Sequence, residues 1–143
     1  MPIEKIINFV NVIGVDTPQQ AHQTSSKIFL HKVSVNKVIL IGNVGTDPEI
    51  RYIETRPIAT FRLATNERER TRPDGTKIPE RTEWHTIIMW DSAAEFAEKY
   101  IRTGSRLYVE GKIRYRIWED RNAIKRNVTE IYVDNFELLG LNK

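Results

Sequence analysis

Between Arg106 and Trp118 two kinds of side chain alternate along the chain. Leu107, Val109, Ile113 and Ile117 fall on one side of an extended strand; Arg106, Tyr108, Glu110, Lys112, Arg114, Arg116 and Trp118 fall on the other. Successive strand residues point to opposite faces, whereas helical neighbours recur every three or four positions. This pattern therefore requires a sheet with a core beneath it. The first set is the expected core face. The second is an outward face ending in three cations and a tryptophan.

Most of the remaining signals are also strands. Val35 to Gly42 is β-branched and apolar and stops at glycine. Gly42-Asn43-Val44-Gly45 and Asp47-Pro48 mark a break. Ala59 to Thr65 alternates, with Ala59, Phe61 and Leu63 on one face, and Pro73-Asp74-Gly75 has the composition of a hairpin tip. A third strand is expected from about Thr82 to Trp90. The fourth is Arg106 to Trp118, and the fifth runs from Asn127 to about Val133 after a turn at Asp120-Arg121-Asn122. One helix is expected between the third and fourth strands. Ala93, Phe96, Ala97 and Tyr100 have helical spacing, Asp91-Ser92 with Glu95 suggests a capping box, and Gly104 is placed to end it. The expected class is all-β: a five-stranded Greek-key barrel of the OB type with one α-helix between strands 3 and 4. An SH3-like barrel is the rival, but it would not carry that helix. The chain divides into an extension over 1–33 with a linker-like run from Thr17 to Ser26, a domain over 34–140, and a short end at 141–143.

Composition narrows the chemistry. There is no cysteine, so disulfides and thiolate metal sites are excluded. No apolar run reaches the roughly 20 residues that span a bilayer. The stretch Ile6 to Val15, interrupted by Asn8, Asn11 and Gly14, lacks the basic start and cleavage pattern of a secretory signal. Net charge is +3. From Glu110 to Arg126, six cations (Lys112, Arg114, Arg116, Arg121, Lys125, Arg126) face only Glu110, Glu119 and Asp120, so this segment alone carries a surplus of +3.

A row of guanidinium groups ending in an indole suits single-stranded nucleic acid, which offers a phosphate charge and a base π-face at every step. Lys112, Arg114 and Arg116 are equally compatible with the charged face of an edge strand. Trp84 and Trp90 share a face of the third strand with Thr86 and Ile88, and their spacing fits either core or surface. Metal-dependent catalysis finds little support. His22 and His31 lie in the extension, His85 stands alone on its strand, and Asp47 with Glu49 brackets a turn proline. No metal site and no catalytic residue is expected.

Several segments in order resemble the bacterial single-stranded DNA-binding protein family, and mitochondrial members of that family are similar too. They are Val35 to Gly45, Asp47 to Tyr52, Leu63-Ala64-Thr65, Thr82 to His85, Tyr100 to Ser105, Tyr108 to Arg114, Thr129 to Val133 and Leu138-Leu139-Gly140. The resemblance implies an OB fold, a homotetramer with DNA wrapped around it, no cofactor and no catalysis. Roles in DNA replication, recombination and repair go with it. It implies base-stacking roles for Trp84, Trp90 and Trp118 and basic contacts from Arg51, Arg102, Arg114 and Arg116, beside the Lys112 of the stripe. It places His85 at the oligomer interface. A tryptophan often found after Leu-Ala-Thr is absent here; Glu69 and Arg70 occupy that region, and Arg70 could stack on a base in its place. The acidic tail with which bacterial members recruit partners does not follow Leu141-Asn142-Lys143; either the sequence stops short of such a tail or the protein does not recruit partners that way, and recruitment is left out of the expectation. The arginine-free extension favours a bacterial cytoplasmic, nucleoid-associated protein over a mitochondrial matrix one. The alternative is an OB module specialised for RNA or protein binding in replication restart.

Overall fold

The computed structural model describes residues 34–141. The expectations for 1–33 and for Asn142 and Lys143 lie outside the described residues. Within them the order is β1 (Val38–Val44), β2 (Glu49–Ile53), β3 (Arg56–Glu67), β4 (Arg70–Thr71), β5 (Lys77–Ile78), β6 (Arg81–Trp90), α1 (Ser92–Tyr100), β7 (Ser105–Glu119) and β8 (Lys125–Leu141). The region is thus mostly β with one short helix.

Strands β1, β7, β8, β6, β3 and β2 are hydrogen-bonded neighbours in that order. The β6–β8 pairing is parallel and the others are antiparallel. β1 runs along β7 from Val38↔Gly111 to Asn43↔Arg106, then meets β3 at Asn43↔Ala64 and Val44↔Leu63. The two ends of the series β1–β7–β8–β6–β3 are thereby joined. Gly42 permits the crossing: a Cβ there would sit 3.0 Å from the carbonyl carbon of Ala64 and closer still to its oxygen.

Three strands were not anticipated. β2 pairs with β3, and β4 and β5 form a small ribbon around the expected Pro73–Gly75 tip. At that tip the Gly75 amide donates to the Arg72 carbonyl at 2.9 Å and Gly75 has φ 85°. β8 also continues well past the expected Val133. It absorbs irregularities opposite Arg106/Leu107 and Glu110/Gly111, so β7 keeps its alternation along its whole length.

The core collects Val44, Ala59, Phe61, Leu63, Ile87, Met89, Leu107, Val109 and Ile131 from the strands, with Ala94, Ala97 and Ile101 from α1 and the residue after it. Phe96 packs its ring 5.1 Å from that of Phe136. The expected capping box does not form: the Asp91 side chain makes no cap hydrogen bond. Its carboxylate instead accepts two bonds from Arg56, at 2.9 and 2.7 Å. The first helical bond, Glu95 N–H to the Asp91 carbonyl at 3.0 Å, is made without it.

The assignment of Ile117 to the core is corrected. It is 65% exposed, and Tyr115 is 74% exposed. The alternation of β7 outlasts the core, because among the described residues only β8 pairs with it beyond Ile113. Residues 115–129 form a two-stranded arm closed by the expected turn, where the Asp120 carboxylate accepts the amides of Asn122 and Ile124 at 2.9 and 3.0 Å.

Candidate nucleic-acid interface

Pairing register decides which side chains share the outward face, since directly opposed residues point the same way. Arg51, Ile58 and Trp90 are opposed in turn across β2, β3 and β6. Thr60, Ile88, Tyr132 and Lys112 form the next row, across β3, β6, β8 and β7. Arg62, Thr86, Glu130 and Arg114 form a third. Ala64 opposes Trp84 in a fourth, Arg116 opposes Val128, and Trp118 opposes Arg126 on the arm. From Trp90 to Trp84 the face extends about 20 Å along the strand at ~3.4 Å per residue.

Two of the three indoles are open. Trp84 is 52% and Trp118 45% exposed. Trp90 is half-buried, and the Arg56 guanidinium lies over its ring at 4.7 Å, fixed there by Asp91. The ion pair holds the Asp91 carboxyl below its ordinary range and the Arg56 guanidinium above its own. One face of Trp90 is therefore already occupied.

The cations differ in their commitments. Arg116 donates to Glu130 at 2.8–2.9 Å, and this carboxylate is buried, with a side chain only 4% exposed. Arg51 pairs with Glu49 at 2.6 Å, and the Lys112 ammonium lies 3.5 Å from Asp134. Arg102 lies after α1, off the sheet face. It donates to the carbonyls of Glu98 and Ile101 at 2.8 and 2.7 Å, which satisfies the helix C-terminus. Arg114 has no carboxylate partner among the described residues; its guanidinium sits 5.7 Å from the Tyr132 ring. Arg70, on β4, is exposed and makes no ion pair among the described residues. His85 faces the other way, with its Nε2 2.8 Å from the Thr65 hydroxyl. Burial pushes its pKa below the ordinary histidine value, against a weaker pull from Glu83, and so favours the neutral imidazole.

Arg62 is a residue that the sequence reading missed. It is exposed, forms no ion pair among the described residues, and stands in the row between those of Trp84 and Trp90. The signal was present: once Ala59, Phe61 and Leu63 are assigned to the core, Arg62 must point outward.

Open indoles, and guanidinium groups without an ion pair among the described residues, stand on one outward face of this mostly-β domain, and these are the groups that can hold an unpaired polynucleotide. The comparisons carry this further. The Single-strand binding protein family matches residues 35–139. A single-stranded DNA-binding protein of Bacteroides thetaiotaomicron is 54% identical over 109 residues, covering 76% of this chain and 68% of the relative. One from Rhizobium meliloti is 46% identical over 105 residues, covering 72% of this chain and 60% of the relative. Among solved structures, the Plasmodium falciparum SSB in complex with ssDNA superposes with a TM-score of 0.66 at 34% identity, over 79% of this chain and 100% of that one. The chain belongs to the single-strand binding protein family.

Proposed function

We propose that this chain binds and protects single-stranded DNA with little regard to sequence, in replication, recombination and repair, as a non-enzymatic homo-oligomer. The observation that carries the reading is the register that lines up Trp90, Lys112, Arg62, Arg114 and Trp84 on one face, with Trp118 on the arm beyond. Bases stack on Trp84 and Trp118, and on the uncovered face of Trp90. Phosphates meet Arg62 and Arg114 first, because these guanidinium groups have no ion pair to break among the described residues. Lys112, Arg51 and Arg116 contribute by exchanging a carboxylate for a phosphate, Arg70 serves the β4–β5 ribbon, and Arg102 contributes while capping α1.

The joined series β1–β7–β8–β6–β3 supports an OB-type Greek-key barrel, with β2, β4 and β5 as additions to it. We take 34–140 as the binding domain and place the protein in the bacterial cytoplasm. A homotetramer is supported by Ile39 and Ile41, exposed on the outward face of β1; we assign His85 to a subunit contact. Light scattering should return four times the chain mass, and a monomer would remove that part of the proposal.

The test of binding is tryptophan fluorescence. Oligo-dT should quench it strongly and duplex DNA little; equal quenching by duplex, or tighter binding of RNA, would overturn the reading. Affinity should fall steeply with salt. Arg62→Ala and Arg114→Ala should each reduce the slope of log K against log salt by about 0.7, the value for one phosphate contact on a single strand. Arg116→Ala should change it less, because its charge is already matched by Glu130.

A further inference from the structure

The turn after β1 lies directly beneath Trp84. A Cβ built on Gly45 would fall 2.7 Å from Cη2 and 3.3 Å from Cε3 of the indole, and closer still to Cζ3 between them. Nothing else is as near. Gly45 does not have a positive φ, so its backbone would accept an L side chain, and the three atoms nearest to that side chain all belong to the indole.

The turn itself cannot yield. The Gly45 amide donates to the Arg62 carbonyl at 2.8 Å, and the Arg62 amide donates to the Thr46 hydroxyl at 3.2 Å. The Gly104 amide donates to the Val44 carbonyl at 2.7 Å. The Asp47 carboxylate accepts the Thr103 amide at 2.8 Å and the Thr103 hydroxyl at 2.9 Å, which holds its carboxyl below the ordinary range. A segment fastened to β3 on one side and to the turn after α1 on the other is stiffer than a half-exposed side chain that can rotate about two bonds.

We infer that Gly45 is a positioning residue for Trp84: its bare Cα is the seat on which the six-membered ring of the indole rests, and the bracing of residues 44–47 fixes where that ring meets a base. This rests on the reading of Trp84 as a stacking platform. Stacking depends on the plane and offset of the two rings, so an indole pushed off its seat loses part of its hold on a base even though its chemistry is unchanged. The same turn carries the Arg62 backbone, so platform and cation are held in one frame.

Gly45→Ala separates seat from platform. Trp84→Ala is expected to weaken oligo-dT binding by roughly 5- to 150-fold. Gly45→Ala should take at least about threefold of that. In the Trp84→Ala background, Gly45→Ala should change nothing, because there is no ring left to displace. In protein carrying Trp90→Phe and Trp118→Phe, where Trp84 is the sole indole, Gly45→Ala should alter the emission of the DNA-free protein. Parent-like binding by Gly45→Ala, or an equal loss in both backgrounds, overturns the inference and leaves the binding function standing. If Trp84→Ala itself binds like the parent, the platform and the seat both fall. If Gly45→Ala alone does not fold, the double variant decides: folding restored by Trp84→Ala supports the contact, and no recovery refutes it.

Discussion

Replacing Trp84 and Trp118 together by alanine is expected to weaken oligo-dT binding by about 2–6 kcal/mol, the sum of two stacking contributions of roughly 1–3 kcal/mol each. The sum is justified by geometry. The two residues stand on β6 and β7 with β8 between them. Two strand spacings alone separate them by roughly 10 Å, beyond the range at which substitutions usually couple. Both rings are about half open to solvent, so their loss should leave thermal unfolding nearly unchanged. Trp90→Ala should cost less than either, because Arg56 already lies on one of its faces. Fluorescence anisotropy of a labelled oligo-dT would measure all three. A double variant that binds within a factor of two of the parent would show that these rings are not where the bases go.

The second large effect is on stability. Gly42→Ala should destabilise the fold by about 3 kcal/mol, at the upper end for overpacking a well-filled site. The obstruction there is the backbone carbonyl of Ala64, on the strand that β1 has to reach. No rotamer change relieves it; β1 and β3 must move apart, and the pairing that joins β3 to β1 is lost with them. For a domain of this size that corresponds to a fall in melting temperature of about 10 °C or more. Gly45→Ala, three residues on, faces a movable ring and should melt close to the parent. Calorimetry on the two variants makes the comparison, and equal melting temperatures would refute the distinction between the two sites.

The fold was legible where one physical pattern dominated. Ala59, Phe61 and Leu63 alternate cleanly because β3 is buried on one side only. Ala97 and its neighbours have helical spacing because α1 lies on the core. β2 escaped because Glu49–Ile53 is exposed at every position but Ile50, so no apolar face marked it. β4 and β5 have two residues each, too few to show any period. Ile117 misled because alternation is a property of the strand, whereas burial depends on what lies against it.

The site was legible by residue type and less so by commitment. Tryptophans and cations can be counted in a sequence, but Arg116 finds Glu130 fourteen positions away and Asp91 meets Arg56 thirty-five positions away. Those pairings decide which charges are available, and they are made by the register of the sheet. Arg62 shows the converse: a single charge in an apolar strand attracts no notice until its neighbours are seen on both sides.

Among the described residues the arm beyond Arg114 is held by one ladder and no hydrophobic layer, so it should open far more readily than the strands beneath it. Amide hydrogens from 115 to 128 should exchange with solvent well ahead of those from 105 to 112. One of the three indoles therefore rides on a pliant support while the other two stand on a rigid one. A polymer whose base spacing varies from step to step can be gripped at fixed points and followed at a yielding one. Ligand-induced slowing of exchange should be largest at that yielding end.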